Sequence, residues 1–216
     1  MISNRITAIV GKPGAWKTAL STIIAGIGIK AGDYKRIYTN YEIKWIPKNI
    51  FYKRLQGKTD LEELENLNIN AKIPPKGILI LDEAGRNLSS RNYNSIINKM
   101  FSSFLMISRK ANLDIIWIAQ RFGSVDVNYR ALVEYLRKPK TRQKDGKTNI
   151  SAILYKNKME LDDKLNLKPI KKIKIKDINK TFKDLWISYN TRDVANLEDL
   201  FTKKTTLKKD LKLEKK

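Results

Sequence analysis

Short runs of apolar residues recur along the first part of this chain and alternate with segments of helical periodicity. The clearest runs are Ile6–Val10, Ile78–Leu81 and Ile115–Ala119. Continuous apolar runs of this length are typical of parallel strands that are buried on both faces. Strands that alternate with helices indicate βαβ units with right-handed crossovers. The pattern therefore predicts an α/β fold with a central, mostly parallel sheet flanked by helices.

Weaker patterns fill in the rest of this core. Helices are predicted from Ala19 to about Gly32 and from Tyr93 to Lys110, and short strands at Arg36–Asn40 and Ala131–Leu136. Residues 41–76 are irregular, with a helical patch around residues 61–64 and the breaker Pro74-Pro75. Such a segment is best interpreted as an elaborated crossover.

The character of the chain changes beyond Pro139. Residues 141–149 are polar and basic and predict a turn that leads into a strand at Ile150–Tyr155. Residues 169–176 alternate lysine with isoleucine, which predicts an exposed edge strand or a basic β-ribbon. Residues 203–216 are so rich in lysine that disorder is expected. We predict one domain over residues 1–202, with a core at 1–139 and a small basic β extension at 140–202.

A glycine-bearing loop separates the first strand from the first helix. It follows the pattern G-x-x-x-x-G-K-[ST], except that tryptophan replaces the second glycine, and it consists of Gly11, Lys12, Pro13, Gly14, Ala15, Trp16, Lys17 and Thr18. In a strand–loop–helix context, backbone N–H groups cradle phosphates and the lysine adds positive charge. The helix dipole adds to this, and the Thr18 hydroxyl is placed to bind Mg2+. The loop predicts a site for ATP and Mg2+.

An acidic pair follows the second buried run. Asp82 is the predicted Mg2+ ligand, and Glu83 is the predicted catalytic residue that orients the attacking water. An ordinary loop and a polar strand end remain the alternative interpretations of each motif taken alone. Their pairing favours a P-loop NTPase of the additional-strand, catalytic-glutamate type over a small-molecule kinase.

Further charged and polar residues are candidates for the same site. Gln120 ends the third buried run, where parallel sheets open onto ligands, and is predicted to sense the γ-phosphate. A residue that merely follows a strand is the alternative. Arginines must supply additional positive charge, and one of them is expected to act on a neighbouring subunit's nucleotide; the candidates are Arg86, Arg91, Arg109, Arg121 and Arg130. A surface or structural role is the alternative for each arginine taken alone.

Composition narrows the chemistry and the partners. The 216 residues include no cysteine and no histidine, which excludes disulfides, thiolate or histidine metal sites and histidine acid–base catalysis. The net charge of +22 favours nucleic acid as a partner, then an anionic membrane surface. Biased genome composition is the alternative explanation. Because no signal peptide and no apolar stretch near the roughly 20 residues of a membrane span are visible, we expect a soluble intracellular protein.

The motifs together resemble those of the zonular occludens toxin-like proteins, which include the filamentous-phage assembly ATPase and belong to the FtsK–HerA group of DNA-translocating motors. The resemblance spans roughly residues 5–195. It rests on the loop at 11–18 and on the segments 79–85, 90–93, 108–116, 125–126 and 185–192, together with Gln120 and Arg130.

The resemblance implies roles and partners. Lys17, Thr18, Asp82 and Glu83 would be the nucleotide and catalytic residues, Gln120 the sensor, and Arg91 or Arg109 the arginine finger. It also implies a homo-oligomeric ring, pentameric or hexameric, acting on double-stranded or single-stranded viral DNA in the host cytoplasm or with the virion. Capsid or virion membrane proteins are further expected partners.

Two departures shape the functional hypothesis. Trp16 replaces a glycine, and the transmembrane helix of the phage assembly proteins is absent from this sequence. We therefore expect an ATP-hydrolysing motor that translocates DNA, in genome packaging or virion morphogenesis, with residues 137–147 and 168–183 contacting DNA. The rivals are an assembly or secretion ATPase that exports filamentous virions at a membrane, and a non-catalytic nucleotide-dependent binding module.

Overall fold

The computed structural model describes residues 5–44, 46–56, 75–84, 112–159, 165–185 and 188–194. Its strands are β1 Ile6–Val10, β2 Arg36–Thr39, β3 Tyr41–Lys44, β4 Phe51–Arg54, β5 Gly77–Leu81, β6 Leu113–Ala119, β7 Tyr135–Lys144, β8 Lys147–Met159, β9 Leu165–Ile175 and β10 Ser188–Val194. The helices in these ranges are α1 Lys17–Lys30, α2 Val127–Ala131 and α3 Ile178–Leu185.

Eight of these strands form one sheet in the order β4-β2-β5-β6-β1-β7-β8-β9. The pairs from β4 to β7 are parallel, whereas β7, β8 and β9 pair antiparallel. The predicted α/β fold with a mostly parallel sheet is therefore confirmed. Strand β6 lies between β1, which leads into the glycine-bearing loop, and β5, which leads into Asp82. This inserted strand defines the additional-strand arrangement.

The buried runs form the centre of the molecule. Every residue of β1, β5 and β6 is buried. One sheet face packs against α1 through a cluster that includes Ile9, Leu20 and Ile116, and the opposite face packs through Trp117 and its neighbours. Since each fully buried isoleucine or leucine contributes about 1.5–3 kcal/mol, these strands provide a rigid base for the loops that follow them.

The last parallel strand starts later and runs further than the predicted strand at 131–136. Ala131 is the last residue of α2. Asp126 caps the N-terminus of this helix, and its Oδ1 accepts a hydrogen bond from the Asn128 N–H at 2.9 Å. Such a cap favours a helix start over a strand. Strand β7 pairs with β1 only as far as Arg137 and continues because β8 pairs with it to Lys144.

The basic extension is a β-ribbon that continues the central sheet. The turn predicted at 141–149 is only Asp145-Gly146, with φ angles of 53° and 68°. Two central residues with positive φ are the signature of a tight two-residue hairpin. Strand β9 is the edge of the sheet, as the lysine–isoleucine alternation predicted.

Several predictions fall outside the described residues. These are the helix at 93–110, the helical patch around 61–64 and the tail at 203–216, and the division of the chain at residue 139 stays a prediction. Across the described ranges, no helix combines the length and the apolar character needed to cross a membrane.

Candidate nucleotide site

The predicted site residues lie along one edge of the sheet. Because β1, β5 and β6 are parallel neighbours, their carboxyl ends meet there, and these ends lead into the glycine-bearing loop, Asp82 and Gln120. Open α/β sheets bind ligands at this edge. The fold therefore brings together motifs that are about a hundred residues apart in sequence.

Backbone hydrogen bonds fix the loop over the neighbouring strand. The Gly11 N–H donates to the Ala119 carbonyl at 3.3 Å, and the Ala15 N–H donates to the Lys12 carbonyl at 3.2 Å. The Lys17 ammonium donates to the same Lys12 carbonyl at 3.1 Å. The loop thus curls around its own lysine and leads directly into the N-terminus of α1, the geometry from which backbone N–H groups bind phosphate.

Trp16 explains why the pattern calls for glycine at this position. Its backbone is left-handed, with φ 57° and ψ 39°, and it caps α1 without a side-chain hydrogen bond. Its carbonyl accepts from the Leu20 N–H at 3.0 Å, so the helix still begins normally. The loop keeps its conformation despite a side chain, at a cost of about 1–2 kcal/mol for an L-residue in this region. The indole is 37% exposed.

We expect Trp16→Gly to retain nucleotide affinity within about threefold, because glycine adopts a positive φ freely and backbone N–H groups do the binding. Trp16→Val is expected to weaken binding roughly tenfold, since a β-branched residue resists this conformation and the loop relaxes away from it. Equilibrium binding of a fluorescent ATP analogue measures both. Equal losses in the two variants would show instead that the indole itself contacts the ligand.

Thr18 and Asp82 meet across the additional strand. The Thr18 hydroxyl donates to Asp82 Oδ2 at 2.5 Å. The Thr18 carbonyl accepts from the Ser21 and Thr22 hydroxyls, each at 2.8 Å, which holds the first turn of α1 in place. A hydroxyl and a carboxylate oxygen are hard ligands, and Mg2+ in phosphate sites takes one or two protein ligands with water and phosphate. These two residues fit that donor set.

Glu83 and Lys17 are linked electrostatically beside this pair. The Glu83 N–H donates to Asp82 Oδ1 at 2.7 Å, and Glu83 itself has a left-handed backbone, with φ 56°. Glu83 is exposed at this edge. Burial lowers the pKa of the Lys17 ammonium, and the negative charges of Asp82 and Glu83 oppose that shift. An incoming phosphate would likewise favour the charged lysine.

Asn40 was not predicted as a site residue, yet it holds Asp82 in place. Its side-chain amide donates to the Asp82 carbonyl at 3.1 Å, and its Oδ1 accepts from the Asp82 N–H at 2.7 Å. Asn40 directly follows β2, which is the neighbour of β5, and it is completely buried. The sequence signal that could have identified Asn40 is its position as a polar residue at the carboxyl end of a buried strand.

Replacement of Asn40 by alanine should lower the free energy of unfolding by about 2 kcal/mol, because two buried backbone groups of Asp82 lose their partner. The maximal rate of ATP hydrolysis should fall as well, since Asp82 is no longer fixed opposite Thr18. Urea unfolding and steady-state ATPase rates test this. Asn128→Ala, which removes an exposed amide, is the control and should change stability by less than about 0.5 kcal/mol. Unchanged rates in Asn40→Ala would contradict a positioning role.

Gln120 lines an open groove beside the loop. The groove has a volume of about 670 Å³ and runs from Gly11–Ala15 past Gln120–Phe122 to Lys138–Thr141. That volume is within the range of small-molecule sites, about 300–1,000 Å³. Trp16 does not line it. Among the candidate arginines, Arg121 is exposed in its wall, and Arg130 lies over the Phe122 ring at 6.0 Å. Arg86, Arg91 and Arg109 lie outside the described residues.

A second buried carboxylate belongs to the opposite edge of the sheet. Asp114 accepts from the Tyr34 hydroxyl at 2.6 Å and the Arg5 N–H at 2.9 Å, and it pairs with Lys76 at 3.2 Å. Burial, with the Asp114 hydrogen bond, raises the pKa of Tyr34. This satisfied cluster ties the amino ends of the strands together, and we assign it a structural role.

The fold and this edge define the class of the protein. A glycine-bearing loop after β1, a carboxylate after β5 and a strand between them are the architecture of a P-loop NTPase of the additional-strand type. The chain belongs to the Zonular occludens toxin (Zot) family, whose sequence pattern it matches over residues 6–183. The resemblance to this family that the motifs indicated is thereby confirmed.

The relatives compared by sequence are distant. The chain is 27% identical over 141 residues to the Gene 1 protein of Salmonella phage IKe, and it is 26% identical over 141 residues to that of Enterobacteria phage I2-2. The aligned region covers 61% of this chain and 39% of either phage protein. The genome packaging NTPase B204 of Sulfolobus turreted icosahedral virus 2, solved with ATP-gammaS, has a similar fold. Its TM-score is 0.52 at 15% identity, over 79% of this chain and 98% of that one.

Proposed function

We propose that the protein is an ATP-hydrolysing motor of viral type that translocates DNA, in genome packaging or virion morphogenesis. The main support for ATP hydrolysis is the hydrogen bond between the Thr18 hydroxyl and Asp82 Oδ2 at 2.5 Å, with Glu83 next in the chain. A metal-binding hydroxyl, a metal-binding carboxylate and a second carboxylate then lie together at the N-terminus of a helix.

Each residue has a distinct task in this proposal. The loop N–H groups and Lys17 bind the β- and γ-phosphates, and the groove beside the loop receives the rest of the nucleotide. Thr18 and Asp82 hold Mg2+, which neutralises charge on the phosphate oxygens when bound. Glu83 orients a water molecule and accepts its proton, and Gln120 contacts the γ-phosphate. Phosphoryl transfer needs mainly such positioning and electrostatic stabilisation.

The proposal that the motor translocates DNA has separate support. The net charge of +22 favours a polyanionic partner. A similarly folded protein is described as a genome packaging NTPase, and the sequence relatives are phage proteins. A homo-oligomeric ring, with an arginine from one subunit reaching the nucleotide of the next, completes the proposal. Capsid or virion membrane proteins are its expected docking partners.

The decisive experiment is the ATPase rate with and without double-stranded DNA, on protein whose oligomeric state has been measured. A DNA-translocating motor should hydrolyse ATP faster on DNA, and binding should weaken as salt is raised. Parallel reactions with anionic vesicles test the second candidate, an assembly ATPase at a membrane, because the net charge of +22 would also attract anionic lipid. Stimulation by vesicles with indifference to DNA would reject the DNA motor in favour of that candidate.

A further inference from the structure

The β7–β9 ribbon has two chemically different faces. Antiparallel partners point to the same face, and successive residues of a strand alternate between faces. On the inner face, Ile150 and Ala152 of β8 are buried against the α1 side of the fold. The rows of residues paired across the three strands on this face are Thr141–Ile150–Ile175 and Pro139–Ala152–Ile173. The intervening rows form the outer face.

The outer face carries a dense array of positive charge. Its rows include Lys138 opposite Ile153 and Lys172, and Lys140 opposite Ser151 and Lys174. We call this surface the basic face; its cations, all exposed, are Lys138, Lys140, Arg142, Lys144, Lys147, Lys172 and Lys174. The sequences of β7, β8 and β9 themselves contain no aspartate or glutamate, and Asp145 lies in the turn between β7 and β8.

The basic face borders an open groove that α3 helps to form. The groove has a volume of about 1040 Å³. Among the described residues that line the groove, basic side chains outnumber acidic ones. The acidic residues are Asp145, Asp177 and Asp184, and the basic residues are Lys140, Arg142, Lys144, Lys147, Lys172, Lys174, Lys176 and Lys180. Parts of the two basic segments that the sequence predicted as DNA contacts, within 140–147 and 172–181, therefore line one surface.

Lysines on an edge strand commonly protect a sheet against unwanted pairing. That explanation covers β9, which is the edge, but β7 lies inside the sheet and carries four of these cations, against two on β9. Alternate residues of a strand are about 6.8 Å apart at a rise of 3.4 Å per residue. That spacing is comparable with the separation of successive phosphates along one nucleic-acid strand.

We propose that the basic face binds the sugar-phosphate backbone of DNA. The proposal rests on the proposed function for the identity of the polyanion. It also supplies a route from DNA to nucleotide, because Lys140 and Thr141 line both this groove and the groove beside the phosphate loop. Strand β7 is then the element through which bound DNA alters ATP hydrolysis.

Two triple variants of the full chain test the proposal, each removing three positive charges. Lys147→Ala/Lys172→Ala/Lys174→Ala alters the basic face. Lys35→Ala/Lys171→Ala/Lys183→Ala alters exposed lysines outside the groove, and Lys171 lies in the same strand as two of the test residues. Equal thermal midpoints and equal DNA-independent ATPase rates would establish that both variants are folded.

Binding to labelled duplex DNA is then measured over a range of salt concentrations. The basic-face variant should lose about 3 from the slope of log affinity against log salt, since each lost duplex phosphate contact contributes roughly 0.9. It should also lose the stimulation of ATP hydrolysis by DNA. The control variant should keep this stimulation, and its salt slope should change by no more than about 1. Single-stranded DNA of the same length shows which form binds more tightly.

The possible failures are distinguishable. Equal slope losses in the two variants, or none in the basic-face variant, would overturn the proposed location and leave the DNA motor intact. If the parent protein binds no DNA but binds anionic vesicles through the same lysines, the surface is a lipid headgroup site, and both proposals are overturned.

Discussion

Glu83→Gln is expected to abolish ATP turnover while leaving ATP bound. Glutamine has nearly the same shape but cannot accept the proton of the attacking water, and loss of a positioned general base reduces rates by about 10²–10⁴-fold. Binding should persist because the loop, Lys17 and the Thr18–Asp82 contact are untouched. Steady-state phosphate release measures the first effect, and equilibrium binding of ATP measures the second.

The control for this variant is Glu134→Gln. Glu134 immediately precedes β7 and lies at the opposite edge of the sheet, where its backbone N–H donates to the Ile6 carbonyl at 3.0 Å. The same chemical change there should leave turnover unaffected. If Glu83→Gln hydrolyses ATP at a measurable parental rate, the general base lies elsewhere. If turnover is negligible in the parent protein as well as in the variant, the non-catalytic binding module gains support.

The sheet and the main site motifs could be predicted because their signals are local. Strands β1, β5 and β6 are buried on both faces, so their sequences are continuous apolar runs. Each ends abruptly in polar residues, and parallel strands place those ends together. Lys17, Thr18, Asp82 and Glu83 were therefore predictable as one cluster from the runs and the motifs that directly follow them.

Other features depend on contacts between distant segments. The role of Asn40 arises because β2 is the neighbour of β5, a pairing that no local pattern specifies. The length of β7 depends in the same way on β8, which pairs with it beyond the last residue that contacts β1. The sequence indicated a turn near Lys-Asp-Gly-Lys but could not indicate how far its strands extend.

Trp16 illustrates a third limit. The sequence shows a missing glycine and therefore questions the loop geometry. The structure shows that closure of the loop on β6 and the start of α1 impose a positive φ on whichever residue is present. A local departure from a motif was outweighed by the contacts on either side of it.

Lys17→Ala is expected to weaken ATP binding roughly 10- to 150-fold, because a hydrogen bond to a charged group contributes about 1.5–3 kcal/mol and 1.4 kcal/mol is a factor of ten. The side chain is half-buried in the loop, where its ammonium donates to the Lys12 carbonyl. Isothermal titration with a non-hydrolysable ATP analogue measures the loss. Lys30→Ala removes the same charge from the exposed far end of α1 and should bind normally.

A measurement of proton uptake on ATP binding distinguishes a Lys17 that binds phosphate from a Lys17 that only supports the loop. Burial lowers the pKa of Lys17 in the free protein, and a bound phosphate should raise it by adding negative charge. As the pH rises toward that lowered pKa, the free protein loses this proton first, so binding should then take up a proton. Proton uptake is measured by titration in buffers of different ionisation enthalpy. It should be present in the parent protein and absent in Lys17→Ala; uptake that persists in the variant would assign the titrating group to another residue.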